Sequence, residues 1–168
     1  MKILIILFFI FSTLFAKINS FESDFVQIIK DNSNKEIKYF GKLYFKKPLK
    51  IFWKYNKPIK KYIYIIDKKV VTIEPELEQV TISYQNKINN IIKLLNSAKK
   101  ISDNLFEAEF ENKKYYIYFE NKKLKKISFK DRFDKEVEIV FINPKQNIKI
   151  DDKIFQIKIN PSFDIIYN

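Results

Sequence analysis

The chain has 168 residues, one glycine, no histidine, no cysteine and a formal charge of +12. This length suits one domain with a sizeable core. Without histidine or cysteine, neither a Ser-His-Asp or Cys-His catalytic set nor a His or Cys metal site can form, and one glycine is too few for a phosphate-binding loop. Paired carboxylates such as Glu74 and Glu76 lie in predicted turns of a lysine-rich chain, where solvated charges are the expected interpretation. We therefore expect no enzyme, no metal and no cofactor.

Residues 1–16 have the layout of a secretory signal peptide. Lys2 precedes an unbroken apolar run over residues 3–11, and the segment ends on Ala16. The run is too short to span a bilayer as a permanent anchor. We expect export, cleavage near Ala16 and a single domain over residues 17–168. Cleavage leaves a formal charge of +11. This charge suits attraction to anionic membranes or acidic partners, or reflects compositional bias, since the lysines are scattered; export argues against binding of nucleic acid.

Alternation of apolar and polar residues predicts short strands along the first half of the chain. The predicted strands cover residues 21–29, 36–46, 49–55, 61–66, 70–74 and 79–84. Because the chain has one glycine, the turns are expected to use Asn-Lys and Asp-Lys pairs, since asparagine and aspartate tolerate a left-handed backbone. These pairs begin at Asn56, Asp67, Asn112 and Asn121.

The pattern changes over residues 87–101, where apolar residues recur at helical spacing. This segment is predicted to be a helix, with an apolar face that includes Ile88, Ile91, Ile92 and Leu95. Further strands are predicted at residues 105–111, 115–120, 124–130, 136–142 and 154–159. The expected fold is mainly β, a strongly curved antiparallel sheet that forms an incomplete barrel covered by the helix. Alternatively, the helix only packs on the core.

Three short motifs in one order resemble a known family. A segment from Gly41 to Pro58 reads Gly-x-Leu-x-Phe-Lys-Lys-Pro, followed by Trp53, Tyr55 and Pro58. An Asp-x-Lys turn follows at Asp67, and then Pro-x-Leu-Glu-Gln-Val over residues 75–80. In this order the motifs resemble LolA, the family of periplasmic carriers that take lipoproteins from the inner to the outer membrane. Residues 20–27 and 155–164 resemble the family's first and last strands. The usual N-terminal helix of the family has little room here, so the lid is expected to be reduced.

The resemblance implies that acyl chains are held in an apolar cavity beneath a helical lid. From the alternation and the motif, the cavity is expected to be lined by Leu43, Phe45, Ile51, Trp53, Tyr55, Ile63, Ile65, Val80 and Ile82. The lid would be formed by Ile88, Ile91, Ile92 and Leu95. Lys47 stands where the family usually has an arginine before proline, so it is implied to act as a weaker latch on the lid. A filled core with an exposed lysine is the alternative.

By the same resemblance, the partners would be lipoprotein acyl chains, an inner-membrane LolCDE-type release complex and an outer-membrane acceptor. The acceptor would be LolB-like or of another kind, and the carrier a monomer. The absence of cysteine removes both disulfides and a lipid anchor, which favours the carrier over the lipid-anchored acceptor. Two other functions stay open. One is a lipid-binding or stress-sensing periplasmic domain of the same fold, and the other is a surface β-protein with a filled core.

Overall fold

The computed structural model describes residues 18–31, 33, 35–84, 98–110 and 112–168. Within these ranges the backbone forms strands and two short 3-10 segments. The strands are β1 (Ser20–Lys30), β2 (Glu36–Lys46), β3 (Lys50–Lys57), β4 (Lys61–Ile66), β5 (Lys69–Glu74), β6 (Gln79–Tyr84), β7 (Lys99–Ser102), β8 (Leu105–Phe110), β9 (Lys113–Glu120), β10 (Lys123–Lys130), β11 (Glu136–Gln146) and β12 (Asp164–Tyr167). The 3-10 segments are Pro75–Leu77 and Asp152–Phe155. Among these residues, no helix has the length and apolarity that a membrane crossing requires.

All the strands belong to one sheet, in the order β12-β6-β5-β4-β3-β2-β1-β11-β10-β9-β8-β7. Neighbours are antiparallel except β12, which runs parallel to β6. Across the described ranges no pairing joins β7 to β12, so the sheet is open. It curls enough for Leu43 of β2 and Phe106 of β8 to share one core cluster although several strands separate them. The expected mainly-β, strongly curved and incomplete barrel is confirmed.

The covering helix is not supported. Residues 87–97 of the predicted helix lie outside the described residues, and its last part is wrong, because Lys99–Ser102 forms β7. Two lysines and a serine in that strand are exposed together with Ile101. Apolar spacing alone could not separate the end of a helix from a short edge strand.

The C-terminal prediction also needs correction. Residues 154–159 were expected to form a strand, but the chain there forms the 3-10 segment Asp152–Phe155 and then an extended stretch without strand pairing. The last strand is instead β12, which pairs with the edge of β6. The other predicted strands are present with ends shifted by a few residues.

Several turns use polar residues in place of glycine, as predicted. The backbone is left-handed at Asp67 (φ 52°), Asn112 (φ 60°) and Asn121 (φ 50°). Asparagine and aspartate suit these positions because their short polar side chains tolerate positive φ. The prediction is wrong for Asn56, which lies within β3. The Lys47–Pro48 and Lys57–Pro58 peptide bonds are cis.

The two faces of the sheet carry separate cores. We call the face that carries Phe25, Leu43 and Phe141 the inner face, since the sheet curls around it. The opposite face is the outer face. Over β3 to β6 the outer face is covered by the segment 148–163, which returns after β11. Ile150 and Phe155 of this segment are buried with Phe52 and Tyr64, whose rings stack 4.2 Å apart.

An ion-pair cluster fixes the returning segment. The Asp152 carboxylate lies 3.0 Å from Lys46 Nζ and 2.8 Å from Lys50 Nζ. Lys46 Nζ also donates a hydrogen bond to the Ile150 carbonyl, at 3.1 Å. These contacts hold the C-terminal segment on the outer face, at the end of β2 and the start of β3. The segment therefore does not cover the inner face of these strands.

Candidate functional site

Strand register assembles the apolar inner surface from three neighbouring strands. Leu43 pairs with Trp53, and Trp53 pairs with Ile63, so these three side chains form one row. Because directly opposed residues of antiparallel strands point to the same face, the row lies on the inner face. A second row runs through Phe45, Ile51 and Ile65, and Tyr55 lies opposite Gly41. We call the resulting set the inner apolar surface: Leu43, Phe45, Ile51, Trp53, Tyr55, Ile63 and Ile65.

Burial divides this surface into core and accessible parts. Leu43 is only 7% exposed and belongs to the packed core. The other six side chains are each half-buried. Large apolar side chains that remain half-buried side by side on one face of a sheet form a surface on which an apolar ligand gains burial. The structure thus brings together seven of the nine side chains predicted to line the cavity.

Val80 and Ile82 do not belong to this surface. Val80 pairs with Ile73 and Ile82 with Val71, and all four are buried in the outer core. The inner-face positions of β6 are Thr81 and Ser83, which pair with Thr72 and Val70. The prediction that Val80 and Ile82 share a face with Trp53 is therefore wrong. Alternation predicts which residues of β6 lie together but not which face they occupy.

Aromatic packing closes part of the interior. The ring of Phe25 on β1 meets Trp53 and Tyr55 edge-on, with centroids 5.0 and 5.1 Å away. Phe25 is 1% exposed and was not among the predicted site residues. It fits because Gly41, next to it on β2, has no side chain. The family-like pattern at Gly41 was the available sequence signal for this contact.

A cleft of about 350 Å³ opens where the turns β3–β4 and β5–β6 meet the end of β1. We call it the rim cleft. It is lined by Gln27, Ile29, Tyr39, Tyr55, Ile59, Lys60, Lys61, Ile63, Glu74, Glu76 and Leu77. Tyr55 and Ile63 belong to both the rim cleft and the inner apolar surface, so the two are continuous. Ile59 (47% exposed) and Leu77 (67% exposed) present apolar side chains at the mouth.

Hydrogen bonds and charge pairs order the rim cleft. The Tyr55 hydroxyl donates to Gln27 Oε1 at 2.8 Å. Burial, and then the neighbouring Tyr39, raise the pKa of Tyr55 to about 12, so this hydroxyl stays protonated at neutral pH. At the edge of the cleft, Lys61 Nζ lies 2.7 Å from the Glu74 carboxylate. The charged groups there therefore pair with each other.

A larger cleft of about 630 Å³ lies between the turns β8–β9 and β10–β11. Its walls include Lys113, Lys114, Lys130, Asp131 and Arg132. Charged side chains of both signs make it unsuited to hydrocarbon chains, and none of its described lining residues is a predicted site residue. Over the described ranges, no three acidic residues come close enough to hold a metal ion.

The predicted lid and latch are located only in part. Ile88, Ile91, Ile92 and Leu95 lie outside the described residues. Lys47 is exposed in the turn between β2 and β3, where its backbone N–H donates to the Asn19 carbonyl at 2.9 Å. This places Lys47 at the end of the sheet opposite the rim cleft, because successive turns of an antiparallel sheet alternate between its ends.

The chain is thus a mainly-β protein whose open, curved sheet carries a half-buried apolar inner surface. Comparison with known proteins assigns the family. A family model described as outer membrane lipoprotein carrier protein LolA matches residues 16–114. The outer-membrane lipoprotein carrier protein of Wolinella succinogenes is 38% identical over 153 residues, which cover 90% of this chain and 89% of that protein. Its counterpart in Campylobacter jejuni is 35% identical over 170 residues, 99% of both chains. The chain belongs to the LolA family.

Solved structures support the fold alone. An uncharacterized conserved protein of Thermus thermophilus superimposes with a TM-score of 0.56 at 9% identity, over 94% of each chain. A DUF1329 family protein of Desulfovibrio piger gives a TM-score of 0.50 at 11% identity, over 86% of this chain and 92% of its own. Since LolA proteins are carriers and not enzymes, the functional question is where this chain holds its cargo.

Proposed function

We propose that this chain is a periplasmic carrier that holds lipoprotein acyl chains on the inner apolar surface. The observation that carries the proposal is the block formed by Ile51, Trp53, Ile63 and Ile65, four large side chains in register on one face and each half-buried. Each methylene moved from water onto such a surface contributes about 0.8 kcal/mol. Acyl chains of ordinary length therefore supply enough free energy to keep a lipoprotein in solution.

The proposed route of the cargo is that of a lipoprotein carrier, which membership of the family supports. Residues 1–16 would direct export and be cleaved near Ala16, leaving residues 17–168 as one carrier domain. A LolCDE-type complex of the inner membrane would load the carrier, which acts as a monomer. A LolB-like acceptor, or the outer membrane itself, would take the cargo. The segment with Ile88, Ile91, Ile92 and Leu95 would cover the bound chains, and Lys47 would restrain that cover.

Trp53 offers a direct test because it is the only tryptophan in the chain. A synthetic triacylated lipopeptide with bromine atoms along its acyl chains would be titrated into the protein while tryptophan fluorescence is recorded. If acyl chains lie on the inner apolar surface, bromine atoms come within contact distance of Trp53 and quench it in a saturable way. The unbrominated lipopeptide controls for changes in environment.

A matched control separates binding from a general effect of lipid. The peptide without acyl chains should leave the fluorescence unchanged, and excess unbrominated lipopeptide should reverse the quenching. If the protein bound the lipopeptide in solution without quenching of Trp53, the assigned surface would be contradicted. If the protein bound neither lipopeptide, the carrier function itself would be contradicted.

A further inference from the structure

The rim cleft combines two kinds of side chain that an acyl-binding surface alone does not need. Ile29, Ile63 and Leu77 supply apolar walls, whereas Gln27 and Tyr39 bring hydrogen-bonding groups into the same space. Tyr55 and Ile63 belong to both the cleft and the inner apolar surface, so the cleft connects that surface with the exposed rim. A ligand that extends from the surface to solvent at this end of the sheet passes these polar groups.

The polar groups are oriented as donors. Because Gln27 Oε1 already accepts from the Tyr55 hydroxyl, the Gln27 side chain offers its two amide N–H groups. In the part of the chain that the structure describes, neither these N–H groups nor the Tyr39 hydroxyl has a hydrogen-bond partner. Edge-on contact between the rings of Tyr39 and Tyr55, with centroids 6.1 Å apart, fixes their positions. Both Gln27 and Tyr39 are half-buried, so hydrogen bonds formed there are partly shielded from water.

The charges beside these donors balance. Lys61 is paired with Glu74, and Glu76 accepts from the backbone N–H of Lys60 at 3.4 Å. Among the described residues that line the cleft, two lysines and two glutamates balance, so these residues offer no excess positive charge with which to bind a phosphate. An uncharged ligand that carries acceptors next to hydrocarbon fits this environment better than a phospholipid head group does.

We propose that the rim cleft binds the ester and amide carbonyls that join the acyl chains of a bacterial lipoprotein to its N-terminal cysteine. This inference rests on the proposed carrier function and adds a polar subsite to it. Gln27 and Tyr39 donate hydrogen bonds to the carbonyl oxygens, the acyl chains continue onto the inner apolar surface, and the polypeptide leaves past Ile59 and Leu77. Diacyl phospholipids carry the same ester carbonyls, so any preference for lipoproteins would come from the amide-linked chain and from the balanced charge of the described cleft residues, which offers no net attraction to a phosphate.

The test compares two lipopeptides of equal chain length, one with the natural ester linkages and one with ether linkages that lack the two ester carbonyls. The parent chain should bind the ester compound about three- to tenfold more tightly, as expected for one or two hydrogen bonds. Tyr39→Phe removes only a hydroxyl, and Gln27→Glu removes the donors while keeping the acceptor for Tyr55. Each variant removes one of the two donor side chains, so each should lower the ratio of ester to ether affinity below that of the parent. Tyr44→Phe, on the outer face, should behave as the parent.

The outcomes are distinct. A parent chain that binds both compounds equally, or variants that keep the ester preference, would overturn the polar subsite and leave the carrier function standing. A parent chain that binds neither compound would overturn both. Because each comparison is a ratio of two affinities for the same protein, partial loss of stability in a variant does not affect it.

Discussion

The ring of Phe25 lies directly against Gly41 of the neighbouring strand. A Cβ on Gly41 would stand 2.7 Å from Phe25 Cζ and would overlap the backbone carbonyl of Lys54 on β3. The backbone of Gly41 is not left-handed, so the glycine is required by space rather than by conformation. This one position lets Phe25 reach Trp53 and Tyr55 and thereby shapes the inner apolar surface.

Gly41→Ala is therefore expected to destabilise the protein. Forcing a methyl group into a packed site usually costs about 1–3 kcal/mol, and the overlap with a backbone atom indicates the upper part of that range. Urea unfolding followed by Trp53 fluorescence measures the change. Adding Phe25→Leu to the alanine variant should not restore full stability, since the Lys54 carbonyl remains. A Gly41→Ala variant as stable as the parent would contradict the assigned contact.

The grouping of seven side chains on one face could be predicted from the sequence because strand alternation and register act locally. Leu43, Trp53 and Ile63 could be grouped because alternate residues of a strand lie on one face and short turns connect the three neighbouring strands. Val80 and Ile82 were assigned to the wrong face because the covering segment 148–163 comes from far along the chain. Alternation within β6 carries no information on which face that segment covers. The strand β12 was missed for the same reason, since its partner β6 is remote in sequence.

The rim cleft could not be predicted from the sequence, for a different reason. Its walls come from β1 and from the turns β3–β4 and β5–β6, which meet only when the sheet curls. Gln27 and Tyr39 are ordinary polar and aromatic residues in the sequence, and their pairing in β1 and β2 gives them a shared position. No motif marks them.

Ile65→Ser is expected to weaken lipopeptide binding by roughly five- to thirtyfold, because a half-buried isoleucine contributes about 1–2 kcal/mol of apolar contact. The protein should stay folded, since Ile65 is not a member of either core. Binding is measured with the brominated lipopeptide. Ile165→Ser is the matched control, because Ile165 is 45% exposed on the edge strand β12. Equal loss of affinity in both variants would contradict a specific acyl-binding surface.

Lys47→Leu tests the proposed latch. If the Lys47 ammonium group helps to hold a cover over the cargo, its loss in Lys47→Leu should change the rate at which the lipopeptide is transferred to acceptor vesicles. Lys47→Arg should keep or strengthen the latch, because arginine presents a planar set of donors. The rate of transfer is followed by recovery of Trp53 fluorescence. If Lys47→Leu releases cargo at the same rate as the parent, Lys47 has no latch role.

Asp152→Asn should lower stability in a pH-dependent manner. Hydrogen bonds from Lys50 and then Lys46 hold the pKa of Asp152 below its usual value of 3.8. A carboxylate with a lowered folded pKa stabilises the fold fully above its unfolded pKa, and this contribution is lost as the pH falls through the folded pKa. The difference in urea midpoint between parent and variant should thus be constant near neutral pH and shrink below pH 3.8. Asp164→Asn, an exposed carboxylate on β12, is the control.

Phe155→Ala should destabilise the protein without a specific effect on cargo. Phe155 is 3% exposed in the outer core, and removal of such a ring typically costs about 3–5 kcal/mol. Phe133→Ala, at a position 61% exposed, should change stability by no more than about 0.5 kcal/mol. Under conditions where the Phe155 variant is still folded, its affinity for the lipopeptide should match that of the parent, because the two faces of the sheet have separate cores. A large loss of affinity in the folded variant would mean that the segment 148–163, and not only the inner face, takes part in binding.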